Sequence, residues 1–477
     1  MSQEPKKVDR RNFIYAGLGA IALVAIGAAA YIALNPPVVT QTTTVPTTSV
    51  VTTTIPTTTV VTTTVPTTTI VTTTISKPYE GISLAAPVET LPCTQMVAER
   101  LPEFEKQTGI KVDWIFMPET DRRAKIRLDA TTGAGTYQIF GIDIMYIPEF
   151  AEAKWIVPIK KYLDAEYDFD DILPGFREAY GWKGEYYGVP VYGETTLLMY
   201  RKDLFELEGI KVPTTMDELW AAAEHFYRPP NMYGIALRGI RGEGLNVYTW
   251  TGFLRAFGGE YLKDGVPVFN SQEAIQATTF YRDIIKKFGP PGVSSFSWED
   301  VEEIFKAGKC AMIIDASDFA TRLEDPTKSL VAGKVGYALV PSGPAGRFPS
   351  IYTFGLSISA IGCKTEKIKE AAGHFISWAT SKESEKIRAM MGDVSIDRES
   401  IFYSDLYKEK FGKYPGYIES VVESYKEALP DYRPRIPEWP EIGDKLGIVL
   451  EEIFAGTKDV KTGLNEAVDY AKKVLKK

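Results

Sequence analysis

Histidine and cysteine are scarce in this sequence. The chain of 477 residues contains two histidines, His225 and His374, and three cysteines, Cys93, Cys310 and Cys363. The cysteines show no CxxC spacing and the histidines lie far apart, which disfavours a zinc site or a Cys/His catalytic pair, so we expect no metal. One disulfide remains open in an oxidising compartment. Cys310 starts the apolar run CAMIID and is expected to be a buried free thiol.

Common catalytic motifs are also missing. The sequence has no GxSxG, no HExxH and no phosphate-binding P-loop. Hydrolysis of a glycoside needs two carboxylates about 5 Å or 6.5 to 9.5 Å apart, and adjacent residues such as Asp170 and Asp171 point apart. We therefore predict that the protein is not an enzyme and uses no cofactor, with an extracellular glycosidase as a less favoured alternative.

The main body of the chain lacks a cluster of basic residues. Lys and Arg number 54 against 62 Asp and Glu, for a net charge of −8. Such a surface repels nucleic acid, so we expect no nucleic-acid partner. Aromatic residues are abundant by contrast, with 26 Tyr and 8 Trp. They fit either ordinary core packing or flat surfaces on which a ligand stacks.

The first 34 residues predict one membrane crossing. Residues 13–34 form a run of 22 residues without a charge, which at about 1.5 Å per residue spans a hydrocarbon layer of about 30 Å. Lys6, Lys7, Arg10 and Arg11 precede the run, so residues 1–12 are expected in the cytoplasm and the rest outside. The small residues 28–30 leave a cleaved signal peptide, and hence a secreted protein, as the alternative.

A Thr- and Pro-rich segment follows at residues 35–78. Its sequence VVTTTIPTTTVVTTTVPTTTIVTTT repeats with a ten-residue period that places Pro46, Pro56 and Pro66 in step. Thr and Pro in this pattern cannot build a packed core and favour extended backbone, as in O-glycosylated spacers. A stalk of this kind favours the membrane anchor over the cleaved signal.

From residue 79 onward, short β-rich runs alternate with helical periodicities, which is typical of an α/β fold. The run GISLAAP predicts a strand, the spacing of Val97, Leu101 and Phe104 predicts a helix that ends at Gly109, and KVDWIF predicts a second strand. A strand, a helix and a strand with short connections form a βαβ unit.

Two further helix starts are indicated by capping residues. Thr215 and Glu218 have the spacing of a capping box, and Asn270 with Glu273 is expected to begin a second helix. A third helix precedes CAMIID, and its apolar face is expected to lie in the core rather than to contact a ligand. That face consists of Trp298, Val301, Ile304 and Phe305.

Five segments, in this order over about 400 residues, resemble the family 1 extracellular solute-binding proteins of ABC importers, the group of maltose- and trehalose-binding proteins. They are FEKQTGIKVDW, DIMYIPEFAEAKWIVPIKKYLD, GEYYGVPVYGETTLLMYRKDLFELEGIKVPTTMDEL, EIFKAGKCAMIIDAS and PRIPEWPEIGDKLGIVLEEIFAG. The resemblance implies a two-lobed, type II periplasmic-binding-protein-like clam with a ligand cleft between the lobes. It places one lobe at 79–190 plus 341–384 and the other at 191–340 plus 385–477.

The same resemblance implies a function and a set of ligand contacts. The protein would be a monomer that captures a sugar or oligosaccharide by lobe closure and delivers it to membrane permease subunits served by a separate ATPase. Asp318 stands near a position that is Trp in some maltose binders, which disfavours a maltose-type ligand. The positions that match the family's ligand-binding passages are Tyr146, Glu149, Glu194, Asn246, Tyr248, Trp250, Asp318, Tyr352, Thr353 and Trp439.

A two-lobed relative that captures a polyamine or a peptide is the alternative. Several carboxylates without flat aromatic rings would favour a cation. Tyr and Trp rings with mixed polar groups would favour a sugar, because a sugar has apolar faces ringed by hydroxyls. Glu194 is the residue most difficult to assign to packing alone, since it lies in the apolar run VPVYGETTLLMY.

Overall fold

The computed structural model describes residues 77–429 and 431–476. The predicted cytoplasmic segment 1–12, the predicted membrane span 13–34 and all but the end of the stalk at 35–78 lie outside the described residues. Among the helices of the described ranges, none is both long enough and apolar enough to cross a membrane.

The described residues alternate between strands and helices, as an α/β fold requires. The strands are β1 (Ser83–Glu89), β2 (Lys111–Met117), β3 (Ile139–Asp143), β4 (Gly181–Trp182), β5 (Glu185–Tyr186), β6 (Val189–Glu194), β7 (Thr196–Arg201), β8 (Tyr233–Ala236), β9 (Leu262–Lys263), β10 (Val266–Pro267), β11 (Cys310–Ala316), β12 (Val335–Leu339) and β13 (Tyr352–Ile358). The α-helices are Pro92–Thr108, Glu119–Thr132, Ile147–Glu152, Pro174–Ala179, Lys202–Glu208, Met216–Phe226, Asn246–Ala256, Gln272–Phe288, Trp298–Lys306, Ala320–Leu323, Glu366–Ala379, Lys382–Met391, Glu399–Phe402, Asp405–Phe411, Tyr417–Glu427, Trp439–Ala455 and Val460–Val474.

Two separate sheets organise the body. In the first, β13 is antiparallel to both β3 and β6, and the parallel pair β1–β2 lies beside β3. In the second, the order is β12-β7-β11-β8, with β11 antiparallel to β7 and parallel to β8. Each sheet has helices packed against it, so each forms its own α/β half.

The predicted βαβ unit is confirmed. The helix Pro92–Thr108 connects β1 to β2, which are parallel, and it ends at Gly109 with φ of 76°. A positive φ is favourable for glycine, which has no Cβ. Phe104 and Val97 on this helix are buried against the sheet, so the apolar spacing read from the sequence marks the inner face.

Helix starts agree with the sequence at one position and differ at another. The capping box of Thr215 and Glu218 is present. The later helix is capped one residue after the predicted position, by Ser271 instead of Asn270, because the Ser271 side chain accepts the Ala274 N–H. The Asn270 side chain donates to Asn465 instead. All three cysteines are buried and free, which confirms the expectation for Cys310.

The chain passes directly from one sheet to the other at Thr195. Strand β6 ends at Glu194 in the first sheet and β7 begins at Thr196 in the second. The buried Thr195 hydroxyl donates to the Ser350 carbonyl at 2.7 Å, and the Ser350 N–H donates to the Thr196 hydroxyl at 3.0 Å. The connection from β12 back to β13 therefore lies beside this crossing, and residues 192–194 pair with β13 in the first sheet. The lobe limits given above stay a prediction.

A buried arginine attaches the segment after helix Lys382–Met391 to the first sheet. The Arg388 guanidinium donates to Asp393 at 2.8 Å, to the Ser395 carbonyl at 3.0 Å and to the Val191 carbonyl of β6. Arg388 and Asp393 side chains are each 1% exposed. Their mutual charge and hydrogen bonds offset the cost of removing both from water.

We expect Arg388→Met to lower the free energy of unfolding by about 3–5 kcal/mol, because the Asp393 charge would remain buried without its partner. Denaturant unfolding followed by circular dichroism measures the change. The control is Arg228→Met, which breaks an Arg–Glu208 pair at the surface, where the Arg228 side chain is 53% exposed. Equal destabilisation in the two variants would contradict a special role for the buried pair.

Candidate ligand-binding site

A small chamber lies between the two sheets, beside the crossing at Thr195. The empty space among its lining side chains is about 380 Å³ including space open to solvent, and the centre of a water-sized molecule can occupy only about 30 Å³ of it, so the chamber is narrow in this structure. From the first half it is lined by Glu89, Leu91, Glu119, Tyr192, Glu194 and Tyr352. From the second half and the segment before the last helices it is lined by Arg238, Gly244, Tyr248, Trp298, Ala316, Asp318, Phe319, Arg322 and Arg433.

Strand ends position the side chains of the first half. Glu89 is the last residue of β1, and Tyr192 and Glu194 project from the same face of β6 because they are two residues apart. Tyr352, at the start of β13, is the register partner of Glu194. Several polar groups therefore meet where the strands of this sheet end.

Asp143 organises the polar groups behind this surface. At the end of β3 its carboxylate accepts hydrogen bonds from Arg122 at 2.9 Å, from Arg123 at 2.8 Å and from the Tyr352 hydroxyl. Burial opposes ionisation, but the two guanidinium groups hold the pKa of Asp143 below its ordinary value. Asp143 is therefore a fixed negative charge that orients Tyr352.

The arginines that line the second half are each paired with a carboxylate. Arg238 Nε is 3.0 Å from Asp315 Oδ2, and Arg433 Nη1 is 2.9 Å from Glu243 Oε1. Arg322 contacts Glu302 at 2.7 Å and Asp318 at 3.2 Å. Pairing fixes the donors in the chamber and avoids an isolated buried charge.

Tyr248 lies at the centre of these groups. Its hydroxyl donates to Glu194 Oε1 at 3.0 Å and is 2.7 Å from the Ser350 hydroxyl. The Arg238 and Arg433 guanidinium groups lie over its ring, at 4.7 and 5.4 Å from the centroid. Both cations therefore interact with the ring, and its hydroxyl is hydrogen-bonded to Glu194 at the crossing.

Burial raises the pKa of two carboxyl groups in the chamber. Burial, followed by the charge of Asp318, raises the pKa of Glu194 well above its ordinary value. Burial also raises the pKa of Asp318, and the Arg322 guanidinium, followed by a hydrogen bond from Glu194, partly offsets that rise. A proton shared by the pair would lower the cost of burying both groups. The pair then offers both a donor and an acceptor to a ligand.

Glu89 is a third protonatable group. Burial, then the charge of Glu119, raises its pKa to about 8. Arg122 lies 3.4 Å from Glu89, but this guanidinium also makes a shorter contact of 2.9 Å with Asp143. Glu89 therefore receives only part of the stabilisation that a dedicated partner would give its charge.

The arrangement suits a neutral molecule with many hydroxyl groups. Paired arginines offer N–H donors, while Glu194, Asp318, Tyr248 and Tyr352 offer groups that can donate or accept. A hydroxyl can satisfy either kind because it is both a donor and an acceptor. In the described ranges, no group of three or more His, Cys, Asp or Glu side chains could hold a metal ion.

Four of the ten predicted ligand contacts line this chamber: Glu194, Tyr248, Asp318 and Tyr352. Two more lie in the layer behind it. The Trp439 indole donates to Glu243 at 2.7 Å, so it supports the carboxylate that pairs with Arg433. The Tyr146 ring lies below the Arg123 guanidinium, at 6.0 Å.

The other four predicted residues are not among the lining residues. Glu149 pairs with Arg127 at 2.9 Å. The buried Asn246 side chain donates to two backbone carbonyls, and the Trp250 indole donates to the Thr278 hydroxyl at 3.0 Å. Thr353 is buried within β13, where its hydroxyl donates to the Phe354 carbonyl.

Sequence reasoning did not select several lining residues: Glu89, Glu119, Tyr192, Arg238, Trp298, Arg322 and Arg433. The apolar spacing predicts that Trp298 lies on a core face. In the structure Trp298 is only partly buried and lines the chamber, whereas Val301 and Phe305 of the same helix are buried. Tyr192 could have been found, because it alternates with Glu194 on one strand. No local sequence pattern indicates that Arg238, Arg322 and Arg433 line the chamber.

Comparison with known proteins identifies close likenesses. Residues 90–386 match the family model described as bacterial extracellular solute-binding protein. The mannitol-binding protein of Pseudomonas aeruginosa is 30% identical over 74% of this chain and 81% of its own length. An ABC transporter solute-binding protein from Agrobacterium radiobacter, in complex with ribitol, is 31% identical, with a TM-score of 0.78 over 83% of this chain and 100% of its own. The corresponding Agrobacterium vitis protein with bound D-mannitol is 30% identical, with a TM-score of 0.75 over 83% and 99%.

We expect the unliganded protein to lose stability as the pH rises from about 4.5 to about 8, in part through Glu89. Its pKa is raised from 4.5 to about 8 on folding, so its stabilising contribution is complete below 4.5 and is lost as the pH passes through the folded value. Each pKa unit of difference between the folded and the unfolded state corresponds to about 1.4 kcal/mol of unfolding free energy.

Denaturant unfolding at pH 5 and pH 8.5 tests this expectation in wild type, in Glu89→Gln and in the control Glu224→Gln at an exposed helix position. Glu89→Gln should show the smaller loss of unfolding free energy between the two pH values, since its amide does not titrate. The same loss in all three proteins would contradict the assignment.

Proposed function

The chain belongs to the bacterial extracellular solute-binding protein family, and from that membership we propose that it is the substrate-capturing subunit of an ABC importer for a small polyhydroxylated molecule. The family and the two-lobed α/β likeness support a binding protein rather than an enzyme. The observation that carries the proposal is the chamber in which paired arginines and buried carboxyl groups surround Tyr248 and Tyr352.

A monosaccharide or an acyclic polyol fits the chamber better than an oligosaccharide does. The centre of a water-sized molecule can occupy only about 30 Å³ of the chamber in this structure, so the space is narrow for a chain of several sugar rings. The relatives reported above are a mannitol-binding protein and proteins crystallised with ribitol and D-mannitol. The narrow chamber therefore disfavours an oligosaccharide, and the relatives favour an acyclic polyol with a hydroxyl on each carbon atom.

The charges in the chamber disfavour a polyamine. A cation would need ionised carboxylates that are free to pair with it, whereas burial raises the pKa of Glu89, Glu194 and Asp318. Glu119, the fourth carboxyl of the lining, already pairs with Arg123. A polyamine, a peptide or a glycoside that is cleaved remain outcomes that the ligand test distinguishes.

Ligand capture in this proposal proceeds by closure of the two lobes. We assign the lobes to the predicted limits, 79–190 plus 341–384 and 191–340 plus 385–477, except that β6 belongs to the first lobe through Glu194, with the crossing near Thr195 as the hinge. A ligand that contacts both halves in the closed form shifts the open–closed equilibrium by its differential affinity for that form. Glu194, Tyr248, Asp318 and Tyr352 are the contacts best supported by geometry, and the other six remain predictions.

Delivery requires the body to be outside the membrane. We propose that residues 13–34 anchor the chain, with 1–12 in the cytoplasm and 35–78 as a stalk that carries a monomeric body within reach of the permease subunits. Secretion after signal cleavage is the alternative. The family's extracellular character supports the location of the body.

We expect D-mannitol, ribitol or a related polyol to raise the melting temperature of the protein, because a ligand that binds only the native state stabilises it by about 2.7 kcal/mol at 100 times Kd. A thermal-shift panel should include acyclic polyols, monosaccharides, maltotriose, spermidine and a short peptide. A shift with spermidine or peptide alone would overturn the proposal. Recovery of a cleaved sugar would do so as well.

We expect Tyr248→Phe and Glu194→Ala each to weaken binding of the best polyol by about tenfold, since each removes a hydrogen-bonding group from a buried site. Calorimetric titration gives Kd. The matched control is Tyr470→Phe, which removes a comparable Tyr–Glu441 hydrogen bond of 2.7 Å from the surface. Wild-type affinity in both chamber variants would refute the proposed site.

A further inference from the structure

Nearly all of the residues that line the chamber are fully buried, and this locates its outer side. Trp298 and Arg322 are the lining residues that remain partly exposed in the described part of the chain. Solvent therefore reaches the chamber most closely at these two side chains. Any ligand that extends beyond the chamber would have to pass them.

Trp298 connects the two halves at this place. Its indole N–H donates to Glu119 Oε2 at 3.1 Å. Trp298 is the first residue of the helix Trp298–Lys306, which packs on the second sheet, and Glu119 is the first residue of the helix Glu119–Thr132, which packs on the first. The contact thus closes the outer side with one hydrogen bond to a carboxylate.

Both partners are held in position by their own half. Glu119 Oε1 pairs with Arg123 at 2.5 Å. The Arg322 guanidinium lies over the Trp298 ring at 5.6 Å and is fixed by Glu302 and Asp318. Preorganised partners lose little entropy when the contact forms, so the contact can close around a ligand that leaves room for it.

The backbone at Gly244 approaches Arg123 and Glu119 closely on this outer side of the chamber. A Cβ added at Gly244 would lie 2.4 Å from Arg123 Nη1 and 2.6 Å from Glu119 Oε1. The loop of the second half therefore meets the Arg123–Glu119 pair without intervening space. A sugar chain that projected from the chamber would separate these surfaces and break the Trp298–Glu119 hydrogen bond.

We propose that Trp298 and Glu119 form a gate that sets the maximum length of the ligand and slows its release. This inference rests on the proposed function. In this proposal a short polyol lies behind the gate once the halves have closed on it, whereas an oligosaccharide holds the indole away from the carboxylate. Longer ligands are thus rejected because they prevent the Trp298–Glu119 hydrogen bond. This source of specificity is separate from the contacts that a ligand makes inside the chamber.

The gate is tested with Trp298→Ala, Trp298→Phe and Glu119→Ala, using the tightest-binding short polyol and maltotriose as probes. Stopped-flow dissociation and calorimetric titration give the release rate and the affinity ratio of the two ligands. We expect the release rate of the polyol to rise about tenfold and its preference over maltotriose to fall about tenfold. Trp298→Phe, which keeps a ring but loses the N–H donor, should release faster than wild type.

The matched control is Trp182→Ala, which removes another Trp–Glu hydrogen bond, of 2.7 Å to Glu152, away from the chamber. It should leave both readouts unchanged. Unaltered release and length preference in all three gate variants, in a protein that binds the polyol, would overturn the gate while the proposed function stands. A wild-type protein that binds maltotriose as tightly as the polyol would also overturn it. A wild-type protein that binds no polyol or sugar would overturn the proposed function and the gate with it.

Discussion

The pairing of buried charges is the constraint on which the rest of the structure depends. Arg238 with Asp315, Arg433 with Glu243 and Arg122 with Asp143 are all nearly inaccessible to water. An ion in such a place is costly unless an opposite charge and further hydrogen bonds satisfy it. Because each arginine already has its partner, the donors around the chamber have fixed directions, and a neutral hydroxylated molecule can bind without adding a charge.

The burial of the chamber is the reason that the proposed capture of a ligand needs two halves. The lining of the chamber is buried except at Trp298 and Arg322, so the proposed entry of a ligand requires the halves to separate. The chain passes directly from β6 to β7 at Thr195, and the return connection is bonded beside it at Ser350, so both connections lie at the proposed hinge. In this proposal the ligand is recognised by contacts in the chamber, and movement of the halves depends on a different set of contacts at the crossing.

Local sequence patterns predicted individual helices and strands, but they did not predict the ion pairs between residues that are far apart in the chain. The β1–helix–β2 unit and the Thr215 cap follow from spacings of a few residues, and the structure contains both. Glu194, Tyr248, Asp318 and Tyr352 were indicated by the family resemblance and meet in one chamber. Arg238 and Asp315 are 77 residues apart and Arg433 and Glu243 are 190 apart. Only the folded chain brings these pairs together, so no window of sequence could reveal them.

Movement of the two halves around the ligand is measured most directly as a distance between spin labels on opposite sides of the chamber. Cysteines replacing the exposed residues Leu128 and Glu303 provide the attachment sites, and the native cysteines are buried. The account predicts a longer, broader distance distribution without ligand and a shorter, narrow one, matching this structure, when the polyol is bound. One identical distribution in both conditions, in a protein that binds the polyol, would contradict it.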